Sequence, residues 1–215
     1  MTFSEENYLK TIYHLTSVSD ADISTNAIAE KMETKASSVT DMLKKLAEKD
    51  LVNYVKYQGV SLTDKGMLAA KMIVRKHRLW ECFLVEKLDF SWDEVHDIAE
   101  QLEHIKSEKL INKLDDFLGN PTEDPHGDPI PDANGRIIKI EKQLLSEFEK
   151  NQIGICVGVK DTSSDFLKYL DKQEIALGSQ IEIIEKESFD SSFRIRVGTK
   201  EITISNKIAS NLYIK

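Results

Sequence analysis

The sequence has little of what would place this chain among disulfide-stabilised or membrane-spanning proteins. It contains 2 cysteines, Cys82 and Cys156, which are too few for a disulfide framework and more typical of buried thiols. No apolar run approaches the roughly 20 residues that cross a bilayer. The first residues lack the basic and apolar regions of a signal peptide. These absences predict a cytoplasmic protein that does not enter the membrane.

Charge is distributed unevenly along the chain. The formal net charge is −8, yet the residues up to Arg75 include ten basic and ten acidic side chains, a difference of zero. The remainder therefore carries the whole acidic excess. A neutral first module beside an acidic remainder indicates parts with separate roles.

The first 70 or so residues have the pattern of a DNA-binding module. Apolar residues at helical spacing predict helices from about Ser4 to residue 15, after a cap at Ser24 or Thr25, and over 36–49. Residues 51–62 then read as two strands that meet at Gln58–Gly59. Three helices and a hairpin predict a winged helix-turn-helix, although such helix triplets also serve as protein-interaction modules.

Small hydroxyl and basic side chains remain on the outer face of the third helix and on the wing. Hydroxyl groups at a helix start suit base edges and thymine methyls in the major groove, whereas lysines suit phosphates. The predicted DNA contacts are Thr25, Lys35, Ser37, Ser38, Thr40, Lys44, Lys56 and Tyr57.

Histidine and glutamate share one face of a predicted helix in the middle of the chain. At about 100° per residue, four such side chains fall within roughly 100° of arc: His96, Glu100, Glu103 and His104. Like charges on adjacent turns repel, and a divalent cation would turn this repulsion into shared coordination. On the preceding helix, His77 and Glu81 form another pair at i, i+4. A solvated acidic face is the alternative for each pattern, and their co-occurrence favours a metal site.

The rest of the chain predicts a helical domain followed by a small β domain. Residues 68–118 are helical with more apolar positions than one small bundle needs, which favours a homodimer. A turn-rich loop over 119–135 forms a boundary, and 137–150 is predicted to be helical or partly ordered linker. From about Ile153 the apolar period changes towards two, with one short helix from Ser164 to Leu170, which predicts a small SH3-like barrel.

Several short motifs carry a family resemblance over essentially the whole chain. They are the stretches 7–13 (NYLKTIY), 75–79 (RKHRL), 95–97 (VHD), 103–104 (EH), 125–127 (PHG) and 129–131 (PIP). With wing, His/Glu helices and barrel in this order, the chain resembles the diphtheria-toxin-repressor family of iron- and manganese-dependent transcription regulators. The resemblance implies a mainly α fold with four segments: a winged helix-turn-helix over 1–70, a helical metal-binding and dimerisation domain over 71–135, a linker over 136–152, and an SH3-like (FeoA-like) barrel over 153–215.

The same resemblance implies two metal sites. Asn7, His77, Glu100, Glu103 and His104 correspond to the primary site, and Glu81, Asp124, His126 and Asp161 to a second one. His96 is a ligand in the iron-type pattern. Glu100 stands where iron-type members carry a thiol, so the chain resembles the manganese-type branch, with Mn²⁺ as the expected effector and Fe²⁺ as the alternative.

Two positions depart from the family pattern. Asn7 is a neutral donor where Asp or Met is common, and Lys10 stands where the two-domain manganese regulators have a carboxylate. A cation at that position argues against a closely bridged dinuclear centre and favours two separate single-ion sites.

The resemblance implies a repressor of metal-uptake genes that binds double-stranded operator DNA as a homodimer and is not an enzyme. Two alternatives remain. A winged-helix regulator could sense a non-metal ligand, with the His and Glu residues merely structural. A dinuclear metalloenzyme would want a Glu-x-x-His motif from each of two helices. The chain offers Glu100-x-x-Glu103 and a Pro-broken Glu123-Asp-Pro-His126 instead.

Overall fold

The computed structural model describes residues 1–16, 22–56, 58–138 and 141–215. By their contacts the residues form two compact units. The first unit comprises Met1–His77, Glu100–Lys113 and Pro131–Ile137, and the second comprises Arg78–Ala99, Leu114–Ile130 and Ile138–Lys215.

The first unit contains a winged helix-turn-helix, which confirms the predicted fold of this part. Its elements are α1 (Phe3–Thr16), α2 (Thr25–Lys31), α3 (Ala36–Glu48), β1 (Val52–Val55) and β2 (Gly59–Leu62). Helix α2 begins after Ser24, whose hydroxyl accepts a hydrogen bond from the Ala27 N–H. The two strands form an antiparallel hairpin in which Val52 pairs with Leu62 and Val55 with Gly59.

One apolar core joins the three helices to the hairpin. Leu9 and Ile12 on α1, Ile28 on α2 and Leu43 on α3 have no solvent exposure. These positions recur at the helical spacing expected of one buried face. Helix α1 is therefore packed against the recognition helix α3 through side chains that leave its other faces available.

Three further helices follow the hairpin, and two of them carry four of the ten predicted ligands: His77, Glu81, His96 and Glu100. The helices are α4 (Asp64–Leu88), α5 (Val95–Leu102) and α6 (Glu108–Phe117), and each contributes residues to both units. Helix α5 is shorter than the His/Glu pattern predicts, because it ends at Leu102 and leaves Glu103 and His104 in the following turn. None of the described helices is long and apolar enough to span a membrane.

The second unit contains the predicted small barrel. Its elements are β3 (Gln143–Leu144), a 3₁₀ turn (Leu145–Glu147), β4 (Ile153–Val159), α7 (Ser164–Lys172), β5 (Gln180–Lys186), β6 (Phe193–Val197), β7 (Lys200–Ile204), α8 (Asn206–Ala209) and β8 (Leu212–Ile214). The strands form an antiparallel sheet in the order β3-β8-β4-β5-β6-β7. Leu145, Leu167, Ile183 and Phe193 fill its core without solvent exposure.

The segment before the barrel differs from its prediction. A helix between 137 and 150 is wrong for the described residues there, because Gln143 and Leu144 pair with Ile214 and Tyr213 in the sheet. The adjoining Leu145 is fully buried in the barrel core. Pairing with a strand some seventy positions later is invisible to a local apolar period.

Gly66 in α4 is required by a close backbone approach. A Cβ at this position would lie 1.8 Å from the Leu51 carbonyl oxygen at the start of the wing. We expect Gly66→Ala to lower the free energy of unfolding by about 1–3 kcal/mol, as overpacking does, despite the better helix propensity of alanine. Chemical denaturation of the purified protein checks this. Ser38→Ala, on the exposed face of α3, is the control and should leave stability nearly unchanged; equal stability of both variants would contradict the prediction.

Candidate metal centres and DNA-binding surface

In the first unit, a lysine from α1 bridges two predicted ligands. Lys10 Nζ lies 2.5 Å from Glu100 Oε1 and 2.7 Å from Glu103 Oε2. Glu103 Oε2 is also 2.7 Å from His77 Nδ1. Glu103 has no solvent exposure, so both partners are needed to offset the cost of burying its charge.

The pKa of Glu103 reflects this competition. Burial raises the pKa, but the hydrogen bond from His77 and the charge of Lys10 outweigh burial and lower it overall. The carboxylate therefore stays ionised in the interior. An ionised, fully buried carboxylate is a suitable metal ligand.

Two buried oxygens of predicted ligands in the first unit remain without a protein partner. In the described parts of the chain, Asn7 Oδ1 and Glu103 Oε1 are buried and make no hydrogen bond. Buried acceptors of this kind are rare and call for a further partner. Both are hard oxygen donors of the type that Mn²⁺ and Fe²⁺ accept, so the donor set fits a divalent ion.

His104 is held by side chains of α1. Its Nδ1 lies 2.6 Å from Glu6 Oε2, and its ring stacks on Phe3 with centroids 4.4 Å apart. Lys76 Nζ is 3.9 Å from the same Glu6 oxygen. Glu6 is 4% exposed, so it is a buried carboxylate in the same unit as the fully buried Glu103, whereas Glu100 is only half-buried.

The residues of the predicted primary site lie in the same unit, but their ligand atoms do not converge on one point. Within the described ranges, Glu100, Glu103 and His104 do not place three ligand atoms within 4.8 Å of one another. The ammonium group of Lys10 stands between the two carboxylates. Ligation by all three residues would require side-chain adjustment around Lys10.

In the second unit, three predicted ligands do converge. Glu81, Asp124 and His126 each bring one ligand atom within 4.8 Å of the others, and all three are buried. His126 Nδ1 lies 3.8 Å from Glu81 Oε2 and 4.0 Å from Asp124 Oδ1. Burial and the charge of Glu81 raise the pKa of Asp124. Burial lowers the pKa of His126, yet hydrogen bonding and charge from Glu81 and the charge of Asp124 raise it to about 9. Both directions reflect two buried carboxylates held close together, whose mutual repulsion a divalent cation would reduce.

Hydrogen bonding fixes which nitrogen of His126 faces the carboxylates. Its Nε2 is 2.8 Å from the Trp92 carbonyl oxygen, which can only accept, so Nε2 carries a proton in either protonation state of the ring. Nδ1 faces the carboxylates and is the atom that becomes available to a metal ion when its own proton leaves. The Trp92 ring stacks on the imidazole with an interplanar angle of 11°. The Trp92 indole N–H in turn donates to Asp171 on α7, 3.0 Å away.

The barrel holds the loop that carries these ligands. The Val159 N–H donates to the His126 carbonyl oxygen at 2.9 Å, and Lys142 Nζ donates to the Gly127 carbonyl oxygen at 3.1 Å. Gly127 has φ +79°, and a Cβ there would lie 2.0 Å from the Val157 carbonyl oxygen, so glycine is required.

Arg78 and Asp124 stabilise the same loop through an ion pair and hydrogen bonds. Arg78 Nε lies 3.3 Å from Asp124 Oδ2, and its guanidinium also contacts Asp128. Asp124 Oδ1 accepts hydrogen bonds from the His126 and Asp128 N–H groups at 2.8 and 3.0 Å. The loop therefore presents its ligands from a fixed backbone.

Two further predicted ligands are placed less centrally. His96 Nδ1 is 3.5 Å from Glu81 Oε1, with 55% of its side chain exposed. His96 therefore lies beside Glu81. The prediction from the single helical face, that His96 shares one site with Glu103 and His104, is wrong. Asp161 does not join the close set in the described residues, and its carboxylate accepts the Ser163 N–H just before α7.

The predicted DNA contacts lie on the winged helix-turn-helix. Thr25, Thr40 and Lys56 line a cavity of about 380 Å³ between the starts of α2 and α3 and the hairpin. The others are exposed: Lys35, Ser37, Ser38 and Lys44. The Thr40 hydroxyl donates to the Ala36 carbonyl, and Lys44 pairs with Asp41 at 3.3 Å. Tyr57 lies outside the described residues.

Family models account for this arrangement segment by segment. Residues 1–60 match the N-terminal DNA-binding domain of iron-dependent repressors, and residues 63–132 match their metal-binding and dimerisation domain. Residues 143–215 match the FeoA domain. A solved manganese-dependent transcriptional repressor in complex with manganese is 33% identical, superposes with a TM-score of 0.86, and is covered to 98% of both chains. The chain belongs to the iron-dependent repressor family. Members of this family are transcription regulators and not enzymes.

The curated relatives differ in the fraction of their own length that this chain matches. The diphtheria toxin repressor of Corynebacterium diphtheriae is 26% identical over 223 residues, which is 98% of this chain and 96% of that protein. A Chlamydia trachomatis protein named as a probable metal transport system membrane protein is 46% identical over 86 residues. That match covers 40% of this chain but 19% of the chlamydial protein, so the chain spans about a fifth of that relative.

Sequence reasoning missed one buried residue of the first cluster and underestimated another. Glu6 lies within the predicted first helix and is not among the predicted ligands, although an acidic residue directly before Asn7 on the same helix is a usable signal. The cation at position 10 predicts that the protein has no closely bridged dinuclear centre. The bridging of Glu100 and Glu103 by Lys10 becomes visible only when α1 and the end of α5 are seen together.

The position of Trp92 gives a direct test of the second cluster. In a Trp80→Phe background, which leaves Trp92 as the sole tryptophan, we expect Mn²⁺ to quench fluorescence because the paramagnetic ion would bind beside the stacked His126 ring. Adding Glu81→Gln, which keeps the shape but removes a charged ligand, should abolish the saturable part of the quenching. Glu86→Gln on the same helix is the control. Identical titrations with and without Glu81→Gln would exclude this site.

Proposed function

We propose that this repressor binds operator DNA as a homodimer when Mn²⁺ occupies its metal sites, with Fe²⁺ as the alternative effector, and so controls metal-uptake genes in the cytoplasm. Asn7, Glu100, Glu103 and His104, with His77 behind Glu103, would hold one ion. Glu81, Asp124 and His126, with His96 and Asp161 nearby, would hold another. The bound ion supplies concentrated positive charge to these oxygen and nitrogen donors.

The observation that carries the proposal is the double role of α1. One face of α1 contributes Leu9 and Ile12 to the core shared with the recognition helix α3. On its other side Lys10 contacts Glu100 and Glu103, and Asn7, one turn earlier on the helix, has a buried side-chain oxygen without a hydrogen bond. Donors on α1 and after α5 would therefore be drawn together by an ion, and α3 would follow because it is packed on α1.

This coupling has a thermodynamic limit. An ion shifts the position of α1 only by the difference between its affinities for the DNA-competent and other arrangements. A pair of repressor subunits must place two recognition helices about 34 Å apart to enter successive major grooves. A displacement of α1 that carries α3 with it would change this separation and, with it, the affinity for the operator.

Lys10 favours one ion, and not two, in the first cluster. Its ammonium group already contacts both carboxylates that would have to bridge a pair of ions. The second ion of the protein would then be the one bound at Glu81, Asp124 and His126. This supports two separate single-ion sites.

The choice of metal rests on donor chemistry. The proposed donors are carboxylate oxygens, an amide oxygen and imidazole nitrogens. Cys82 is not expected to add a thiolate, because its burial and, to a smaller extent, the nearby carboxylates raise its thiol pKa far above the ordinary value. Hard oxygen donors suit Mn²⁺ and Fe²⁺. Regulation of metal uptake is supported by the chlamydial transport protein that carries a similar segment.

Replacing Glu103 tests the link between metal and DNA. We expect Glu103→Gln to remain a folded dimer but to lose the Mn²⁺-dependent gain in affinity for DNA from upstream of a metal-transporter gene. The measurement is fluorescence anisotropy of a labelled duplex, with chelator and then with Mn²⁺. Glu108→Gln, an exposed glutamate at the start of α6, is the matched control. Undiminished metal-dependent binding by Glu103→Gln would sink the proposed role of this cluster.

Exposed lysines on α3 should act through phosphate contacts. We expect Lys44→Ala to weaken binding to all duplexes alike and to reduce the slope of log K against log salt by about one. Lys109→Ala, exposed on α6, should leave the slope unchanged. Titrations at three or more salt concentrations measure both, and a loss confined to one operator sequence would instead indicate base readout by Lys44.

A further inference from the structure

We propose that Glu6 is the positioning residue that makes Nε2 of His104 the metal-binding nitrogen of the first cluster. This inference rests on the proposed metal site and adds a residue that neither the sequence pattern nor the donor set identified. It concerns how one ligand is oriented before any ion arrives.

The contact between the two side chains is short and buried. His104 Nδ1 lies 2.6 Å from Glu6 Oε2, and both side chains are under a tenth exposed. A carboxylate accepts and cannot donate when ionised, so the Nδ1 proton points to Glu6. In the neutral imidazole the lone pair must then be on Nε2.

Two neighbours keep Glu6 in this role. Lys76 Nζ lies 3.9 Å from the same Oε2 atom, so an ammonium group faces the oxygen that contacts His104. Phe3 acts on His104 itself: its ring stacks on the His104 imidazole with an interplanar angle of 17°, which restrains the plane of the imidazole. One helix therefore fixes the ring plane through Phe3 and the ring rotation through Glu6.

The arrangement matches a general requirement of metal sites. A ligating histidine commonly donates its other ring N–H to a carboxylate, which fixes the tautomer and increases the basicity of the ligand atom. Loss of such a partner typically weakens metal binding about 10–100-fold. Glu6 follows this rule, whereas in the second cluster a backbone carbonyl, that of Trp92, has the same role and selects the opposite nitrogen of His126.

The tautomer itself can be observed without a substitution. Long-range ¹H–¹⁵N spectra of the full-length, chelator-treated protein, recorded as the pH is raised until the His104 ring loses its second proton, should show the neutral ring protonated at Nδ1. The signal is assigned with His104→Gln. A neutral His104 protonated at Nε2 would overturn the inference. Glu6→Ala should shift the tautomer towards Nε2–H, which a purely structural role would not do.

Metal affinity supplies the second measurement. In a Glu81→Gln background, which leaves the first cluster as the site under study, free Mn²⁺ is measured by electron paramagnetic resonance during titration. We expect Glu6→Ala to weaken binding about 10–100-fold and Glu6→Gln to weaken it much less, because the amide oxygen still accepts from Nδ1. Glu5→Gln removes the same charge one residue away, from a side chain that pairs with Lys49, and should leave the affinity unchanged.

The outcomes separate this inference from the proposed function. Equal affinities of the Glu6→Ala and parent proteins would overturn the positioning role while leaving the metal site intact. If Glu6→Ala, Glu6→Gln and Glu5→Gln all weaken Mn²⁺ binding equally, the loss of affinity comes from the lost negative charge alone. The positioning role of Glu6 would then be overturned as well. Absence of any Mn²⁺ binding in the Glu81→Gln parent would overturn the first metal site, and this inference with it.

Discussion

The first unit depends on one fully buried carboxylate, that of Glu103. An ionised group without solvent exposure must be compensated by nearby donors, and Glu103 finds Lys10 on α1 and His77 on α4. These contacts join the winged helix-turn-helix to the turn after α5 through charge, where most of the unit is joined by apolar packing. A binding event that redistributes charge around Glu103 would therefore change the contact that holds Lys10, and with it α1, at this turn.

The two clusters solve the same chemical problem in different ways. The first has an ammonium group between its carboxylates, so an ion must share them with Lys10. The second has a convergent set of three buried donors, ordered by Arg78 and by backbone hydrogen bonds within the loop. A preorganised set loses less conformational freedom on binding than one that must rearrange. On this ground the second cluster is the better candidate for tight, structural occupancy, and the first for the variable occupancy that a sensor needs.

Much of the fold was predictable because its elements have strong local periods. The winged helix-turn-helix, the long α4 and the barrel strands β4 to β7 all follow from apolar spacing and turn residues. The strands β3 and β8 were not predicted, since their short apolar segments gain meaning only from pairing with each other across the sheet. The ligand residues came from helical spacing and from resemblance. Their division into clusters, the separation of His96 from Glu103, and the role of Glu6 depend on side chains from distant segments, which no local pattern specifies.

The hydrogen bonds between the barrel and the loop that carries His126 have a consequence for the order in which the chain can fold during synthesis. His126 is held by β4 through the Val159 N–H, and Val159 pairs in turn with Leu212 of β8. Lys142, which binds the Gly127 carbonyl, also lies over the ring of Tyr213 in β8, 4.2 Å from its centroid. On the ribosome, the loop and Glu81 are made long before β8. The winged helix-turn-helix can therefore fold early from its own core, whereas the second cluster acquires its full support only after the barrel sequence has emerged. A nascent repressor would thus gain its DNA-binding module before it gains its complete set of metal ligands.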